Sequence, residues 1–292
     1  ATTGRSSEMS DGTHVHARPR YLTAKHTVDE RARNRRVRDR LVDALPPHPR
    51  VVEAGSGAGF TVPTLLEWGI SPAAYRGVDA DPDIVAFARD LVPRLCRRRG
   101  FDATATDTGC RLGDAPVVFE VGDALAALPG ADADLLYAQS FLDLVPLDDA
   151  LDAVDDALAA GGLAYAPFTF DGATLFRPHH PADERVVDAY HDAIDATPGR
   201  TSRAGRELLD LLRQRPGELL AVGASDWIVR PVDDGYPADE RYFLESILGF
   251  VADALDGVAD GDEWLTARRR QLAAGELTFV AHGYDLLWRS PA

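Results

Sequence analysis

Several protein classes are excluded by what this 292-residue sequence contains little of. It has two cysteines, Cys96 and Cys110, without the spacing or the neighbours of a zinc site, so we expect neither a disulfide framework nor a metal site. No run approaches the roughly 18–20 apolar residues that span a bilayer. The first ten residues lack the apolar segment of a signal peptide, so we expect a soluble, cytoplasmic protein that binds no membrane.

Lysine is also nearly absent, and the charge balance is strongly acidic. Lys25 is the single lysine beside 30 arginines, whereas 35 aspartates and 12 glutamates bring the formal net charge to −16. Nucleic-acid phosphates bind to basic surfaces, so this balance argues against a nucleic-acid partner. An aspartate-rich, lysine-poor composition is typical of a halophilic host, and a GC-rich genome is the alternative explanation.

Composition and periodicity divide the chain into three stretches. Residues 1–20 are polar without an apolar period, which predicts a disordered tail. Residues 21–45 combine helical apolar spacing with a concentration of arginines, which predicts a helix. Its arginines either form a solvated face or belong to a lid that covers a site and offers cations to an anion. Residues 46–292 form the main domain, with additions at about 171–217 and 236–275.

The main domain alternates between strand and helix patterns. Five such strands are complete by Phe170, and a loop-like stretch follows them. A sixth strand is predicted in ELLAVGASDWIVRP and a seventh in ELTFVAHGYDLLWR near the end of the chain. Alternation at this spacing indicates a parallel sheet that is covered by helices on both faces. We therefore expect an α/β fold with a doubly wound, mostly parallel sheet of seven strands, and helical insertions that cap the active site.

The most informative motif follows the first strand, where Glu53 is succeeded by glycines at 55, 57 and 59. Glycines between a strand and a helix allow the backbone to approach a ligand closely. A dinucleotide fingerprint starting at Gly55 would require glycine at position 60, which is Phe60 here. The acid at Glu53 would also repel a pyrophosphate. A nicotinamide-dependent oxidoreductase therefore remains only an alternative.

At this point the sequence resembles the class I S-adenosylmethionine-dependent methyltransferases, over roughly residues 50–170 and the final strand. The segment EAGSGAG resembles their first motif, whose glycine loop passes under the methionine part of the cofactor. The resemblance implies a Rossmann-like methyltransferase fold, with Asp79 at the end of the second strand on the ribose hydroxyls and Asp123 beside the adenine. The cofactor-binding residues that it implies are Glu53, Gly55, Ser56, Gly57, Gly59, Asp79, Ala80, Gly122, Asp123, Ala124 and Gln139.

Residues for the methyl acceptor are less well marked. Candidates lie in the lid and at the ends of strands four and five: Tyr21, Arg31, Phe141, Asp143 and Asp171. We predict no particular catalytic side chain, because the cofactor already carries an electrophilic methyl group and the protein mainly aligns the acceptor. His179, His180 and His191 could take a proton, although exposure in a loop is the simpler interpretation of the first two.

These observations predict a methyltransferase that acts on the oxygen, nitrogen or carbon of a small molecule. Bulky insertions over the site suit a metabolite better than a macromolecule. A non-catalytic nucleoside-binding protein of the same fold is a third possibility, since fold alone does not establish turnover. The sequence leaves the acceptor and the oligomeric state open.

Overall fold

The computed structural model describes residues 18–233 and 235–292. The expected disordered tail therefore lies outside the described residues up to position 17, and its last residues belong to a helix that begins at Pro19, a favoured first helical residue. The helices are α1 Pro19–Ala32, α2 Arg35–Ala44, α3 Thr61–Glu67, α4 Pro82–Arg98, α5 Ala124–Ala127, α6 Leu147–Ala157, α7 Asp183–Asp195, α8 Ala204–Leu212, α9 Glu240–Ala252 and α10 Gly261–Ala274. None of the helices in these ranges is long and apolar enough to cross a membrane.

The helices surround one mixed sheet. Its strands are β1 Arg50–Ala54, β2 Ala74–Asp79, β3 Ala103–Thr106, β4 Gly109–Leu112, β5 Ala115–Val121, β6 Ala133–Tyr137, β7 Leu158–Arg177, β8 Glu218–Ala224, β9 Trp227–Val229 and β10 Thr278–Arg289. Their spatial order is β3-β4-β5-β2-β1-β6-β7-β10-β8, and β9 also pairs with β10. Strands β5, β2, β1, β6 and β7 run parallel, whereas β10 is antiparallel to β7 and β8.

The α/β class and the mostly parallel centre are as predicted, but the number of strands is not. The described sheet has ten strands rather than seven. The hairpin of β3 and β4 is not predicted because each strand has only four residues, too few to show an alternating pattern. The predicted sixth strand is divided into β8 and β9, which pair with separate parts of β10.

The fifth strand is also longer than predicted. The sequence indicates a loop after Phe170, yet β7 continues to Arg177 because β10 pairs with it as far as Thr278, through two irregularities in the register. A long-range partner thus extends a segment whose local sequence resembles a loop. Helices α7 and α8 lie within the first predicted addition, and α9 and α10 lie within the second.

The predicted single helix over residues 21–45 is two helices. The chain is extended at Asn34, whose side-chain oxygen accepts the N–H groups of Arg36 and Val37 and so caps α2. The Asn34 N–H donates to the buried carboxylate of Asp285 at 2.8 Å, and the same carboxylate accepts the Phe168 N–H at 2.9 Å. A core acid in the last strand therefore holds the break between the two helices in place.

Both helices are part of the hydrophobic core rather than a detachable cover. Val28, Val37 and Leu41 are at most 1% exposed. Val28 packs in a cluster with residues of α9, α10 and β9, whereas Val37 and Leu41 pack with residues of the central strands. The helix pair is therefore held in a fixed position by its apolar side chains.

Candidate functional site

The glycine loop after β1 lies where the parallel strands end. Gly55, Gly57 and Gly59 all have positive φ, between +50° and +74°, which favours glycine at these positions. A Cβ atom on Gly55 would lie 2.7 Å from the Phe141 ring. At Gly59 it would lie 2.6 Å from a side-chain atom of Val92 in α4. A side chain is therefore excluded at Gly59 by α4 and at Gly55 by Phe141, and Gly55 also lines the cleft described below.

Asp79, at the end of β2, holds this loop directly. One carboxylate oxygen accepts the Gly57 N–H at 2.8 Å, and the other accepts the Asp81 N–H at 3.0 Å. Each oxygen can accept a further hydrogen bond, because a carboxylate offers about four acceptor positions. Ala80 follows on the exposed surface. Asp79 can thus fix the glycine loop and still receive two donors from a ligand.

The residues after β5 lie beside the end of β2. The Gly122 N–H donates to the Asp79 carbonyl at 2.9 Å, so the two strand ends are joined. Asp123 is exposed, and its carboxylate caps the short helix α5 by accepting the Leu125 N–H at 2.9 Å. Ala124 is buried beneath it. The helix-capping role of Asp123 is visible in the structure, and its role toward an adenine stays a prediction.

Glu53 is a buried acid at the floor of the cleft. In the sheet it lies between Gly77 of β2 and Tyr137 of β6. Its carboxylate accepts the hydroxyls of Thr61, at 2.6 Å, and Tyr75. Burial raises the pKa of Glu53 to about 8, and the two hydroxyls only partly oppose that shift. At neutral pH this side chain is mainly protonated, so the cleft floor carries little negative charge.

Helix α1 forms the wall opposite the glycine loop. Lys25, Asp29 and Arg33 are spaced four residues apart, so they lie on one face of this helical segment and reach the ends of β6 and β9. Asp29 is 6% exposed and accepts three donors: the Lys25 ammonium at 2.6 Å, the Gln139 amide at 2.7 Å and the Trp227 indole at 2.9 Å. This one carboxylate therefore ties α1 to the ends of both strands.

Arg33 is a second cation of this wall, with a side chain as buried as that of Lys25. Its guanidinium donates to the Tyr137 hydroxyl at 2.7 Å and to the Gln139 carbonyl oxygen at 3.0 Å, and it lies 4.9 Å from the Trp68 ring centre. Its contact with the Glu30 carboxylate is long, at 3.4 Å, and its buried Nε has no hydrogen-bond partner in the described part of the chain. Since its closest partners are neutral, Arg33 keeps a donor and a positive charge that can receive an anion.

Together these elements enclose a polar cleft. The residues that line it are Leu22, Lys25, His26, Asp29, Arg33, Glu53, Gly55, Ser56, Gly57, Ala58, Phe60, Thr61, Thr64 and Gln139. The His26 ring is stacked on Phe60 with 4.1 Å between ring centres, which joins the helix wall to the loop wall. The buried Ser56 hydroxyl, which lies beside Gly77 of β2, has no hydrogen-bond partner among the described residues.

The predicted residues for the methyl acceptor do not all come together. Phe141 lies against Gly55, beside the cleft. Tyr21 packs against the rings of Phe243 and Phe250 in the core between α1 and α9. Two others are engaged away from the cleft, because Arg31 forms a two-pronged ion pair with Glu240, and Asp171 forms one with Arg206.

Sequence reasoning did not select Asp29, Arg33 or His26 as site residues. The available signal was their spacing with Leu22 and Lys25 along one helical face, but the same spacing describes an exposed ion-paired helix equally well. Only the packing of α1 against β6 and β9 shows which face is buried. Among the described residues no group of three or more His, Cys, Asp or Glu side chains is arranged to hold a metal ion.

Comparison with known proteins places this architecture. No protein-family profile and no curated protein matches the sequence. A candidate methyltransferase from Bacillus halodurans, 12% identical, superimposes with a TM-score of 0.54 over 88% of this chain and 99% of its own. A chain of the complex between the Haloferax volcanii Trm112 methyltransferase activator and a candidate methyltransferase is 14% identical, with a TM-score of 0.51 over 98% of this chain and 100% of its own. The chain has the Rossmann-like α/β fold of these two structures.

A third similar structure is an S-adenosylmethionine-dependent methyltransferase from Thiobacillus denitrificans, in complex with S-adenosylhomocysteine. It is 15% identical and has a TM-score of 0.47 over 89% of this chain and 92% of its own. The Rossmann-like fold that the sequence resemblance implies is confirmed by the first two superpositions. Within that fold, the glycine loop, Asp79 and Gly122 of this chain lie at adjoining strand ends, as the sequence resemblance implies.

Proposed function

We propose that this protein is an S-adenosylmethionine-dependent methyltransferase that acts on a small molecule. The observation that carries the proposal is the cleft between the glycine loop and α1, where Asp79 orients the loop and the buried cation Arg33 faces it. When bound, the cofactor supplies a methyl group on a sulfonium, which is already activated for transfer. The protein's contribution is to bind, to orient and to exclude water.

The cleft has polar groups that fit the two ends of this cofactor. At the amino-acid end, Arg33 offers an unpartnered Nε–H to a carboxylate, and Ser56 offers an unpartnered hydroxyl. Glu53, which is mainly protonated in the free protein, would accept an ammonium group by ionising. At the nucleoside end, the two oxygens of Asp79 can each accept one hydroxyl of a ribose. The glycine loop, which has no side chains at positions 55, 57 and 59, leaves room for the part of the cofactor between these two ends.

A small-molecule acceptor is favoured by the elements around the cleft and by the charge. Helix α1 covers the glycine loop, and the inserted helices α7 and α9 pack against the same hydrophobic cluster as α1. A net charge of −16 disfavours a nucleic-acid acceptor. We also infer from the composition a cytoplasmic protein of a halophilic host.

The experiment is calorimetry with S-adenosylhomocysteine and with NAD(H), followed by incubation with labelled S-adenosylmethionine and a cell extract. The proposal expects binding of S-adenosylhomocysteine, no binding of NAD(H), and label in a small product. Tight binding of NAD(H) without S-adenosylhomocysteine would instead favour the oxidoreductase. Binding of S-adenosylhomocysteine without any labelled product would favour a nucleoside-binding protein.

A further inference from the structure

A second polar position lies next to the cleft, in the turn after β6. The turn begins at Ser140, whose hydroxyl accepts a hydrogen bond from Lys25 at 3.1 Å, and it continues into a short 3-10 helix over Leu142–Leu144. Asp143 is in this helix. Its Oδ1 atom is buried and accepts no hydrogen bond from the described residues, although a carboxylate oxygen in the interior normally has a donor.

The surroundings of Asp143 come from three separate parts of the chain. Burial raises the pKa of Asp143, and this shift is partly opposed by a hydrogen bond from its own backbone N–H and by two cations, Lys25 of α1 and Arg200 of the loop between α7 and α8. Tyr21 of α1 and Tyr190 of α7 are phenols whose pKa values are raised by burial and, in addition, by the charge of Asp143. Tyr190 packs against the cluster that contains Tyr21. Two cations and two tyrosines, whose rings pack with one hydrophobic cluster, therefore lie near Asp143.

The backbone at this position is held in an uncommon conformation. Ser140, in the turn after β6, and Phe168, in β7, both have positive φ, at 47° and 50°, without being glycine. The Ser140 N–H donates to the Pro167 carbonyl at 3.1 Å, so the two strained segments are joined. Phe168 is stacked on Trp227 with 3.7 Å between ring centres. Strain of this kind concentrates where a structure must present particular groups to a ligand.

We propose that the Oδ1 atom of Asp143 anchors the methyl acceptor by accepting a hydrogen bond from a neutral hydroxyl or amine on an apolar body. This inference rests on the proposed function, since it assigns the acceptor position of the same site. Burial raises the pKa of Asp143 to about 6, so the group is mostly an anion at neutral pH and a strong acceptor. Lys25 and Arg200 already neutralise charge around it, which disfavours a cationic ammonium ligand.

The test uses small fluorinated aromatic probes observed by fluorine NMR, on the full chain in the presence of S-adenosylhomocysteine. The probes are 4-fluorophenol, with a neutral donor; 4-fluorobenzylamine, with a cationic one; and 4-fluorotoluene, with none. The proposal expects 4-fluorophenol to bind at least fivefold more tightly than either of the others. Binding of all three with equal affinity, or of none, would overturn it.

Substitutions at Asp143 then test whether the preference for 4-fluorophenol depends on this residue. Asp143→Leu keeps the approximate volume and removes both acceptors, so it should abolish the preference for 4-fluorophenol. Asp143→Asn keeps one acceptor without the charge and should give an intermediate preference, which also covers the case that the leucine variant does not fold. The preference in the wild type should weaken as the pH falls below about 6, where Asp143 becomes protonated. Asp148→Asn, an exposed acid in α6, is the matched control and should behave as the wild type.

The proposed function and this inference can fail separately. Calorimetry of the wild type with S-adenosylhomocysteine tests the cofactor alone, and the probe experiment is also run without that ligand. A protein that binds S-adenosylhomocysteine but shows no Asp143-dependent probe preference retains the proposed function and loses the acceptor assignment. If the protein shows the probe preference without binding S-adenosylhomocysteine, Asp143 remains a binding position for hydrogen-bond donors, but the proposed function is lost.

Discussion

The two walls of the cleft are built in different ways. The glycine-loop wall is held by backbone groups: Asp79 accepts the N–H of Gly57, and Gly122 donates to the Asp79 carbonyl. The α1 wall is held by side chains, with Asp29 accepting donors from Lys25, Gln139 and Trp227, which are widely separated in sequence. A short motif can therefore reveal the first wall, whereas the second exists only when distant segments meet.

Among the changes to the two walls, replacing Asp79 by alanine should cause the largest loss of affinity for S-adenosylhomocysteine. The change removes a bond to the loop and two acceptors for the ribose, each charge-assisted bond contributing about 1.5–3 kcal/mol. We expect affinity for S-adenosylhomocysteine to fall by about tenfold to a thousandfold, measured by calorimetry, since about 1.4 kcal/mol is one decade. Asp79→Asn should lie between the wild type and Asp79→Ala.

The matched control for Asp79 is Asp81→Ala. Asp81 caps α4 by accepting the N–H groups of Asp83 and Ile84. Its loss should lower the free energy of unfolding by about 1 kcal/mol and change the affinity by less than about threefold. If Asp79→Ala folds and binds within twofold of the wild type, the ribose assignment is wrong.

Replacing Arg33 by methionine tests the α1 wall. Methionine keeps much of the apolar stem but removes the cation that we assign to the cofactor carboxylate, so affinity should fall by about tenfold to a hundredfold. Arg35→Met is the control, because Arg35 is exposed at the start of α2 and is absent from the cleft lining. Equal losses in both variants, measured by the same calorimetry, would mean that only the general charge of the helix pair matters.

Glu53, at the cleft floor, should make the stability of the protein depend on pH. Its pKa is about 8 in the folded protein and near 4.5 when unfolded, so the folded state binds the proton more tightly. Its contribution to stability is therefore fully present below about pH 4.5 and is lost as the pH rises through 8, by up to about 1.4 kcal/mol per pH unit. Urea unfolding at pH 6 and pH 9 should show a larger loss of stability for the wild type than for Glu53→Gln. An equal loss in both proteins would rule out Glu53 as the source.

Salt should stabilise the fold as a whole, and this effect depends on no single residue. With 47 acidic against 31 basic residues, repulsion within the folded chain is screened as the Debye length falls from about 10 Å at 0.1 M to about 3 Å at 1 M salt. We expect the melting temperature to rise between about 0.1 and 2 M KCl. A flat or falling curve in differential scanning fluorimetry would count against adaptation to salt. Asp79→Ala should follow the wild-type curve, since one charge changes little of the total.

The sequence predicted the elements whose evidence is local. Alternating strands and helices indicated the parallel sheet, and glycines at 55, 57 and 59 together with Asp79 indicated the loop wall. These features depend on hydrophobic periodicity and on local backbone conformation, both of which leave short, regular patterns. The extension of β7 and the break at Asn34 could not be predicted, because β10 and Asp285 cause them from more than a hundred residues away.

The sequence by itself thus determined the fold class, the glycine loop and the position of Asp79, since hydrophobic periodicity and glycine spacing encode them directly. Only the tertiary structure decided which cations face the cleft. Arg31 and Arg33 are two positions apart at the end of α1, yet Arg31 pairs with Glu240 and Arg33 reaches Tyr137. The physical reason is that the partner of a charged side chain decides where that side chain lies. Packing, rather than spacing along the chain, brings the two partners together.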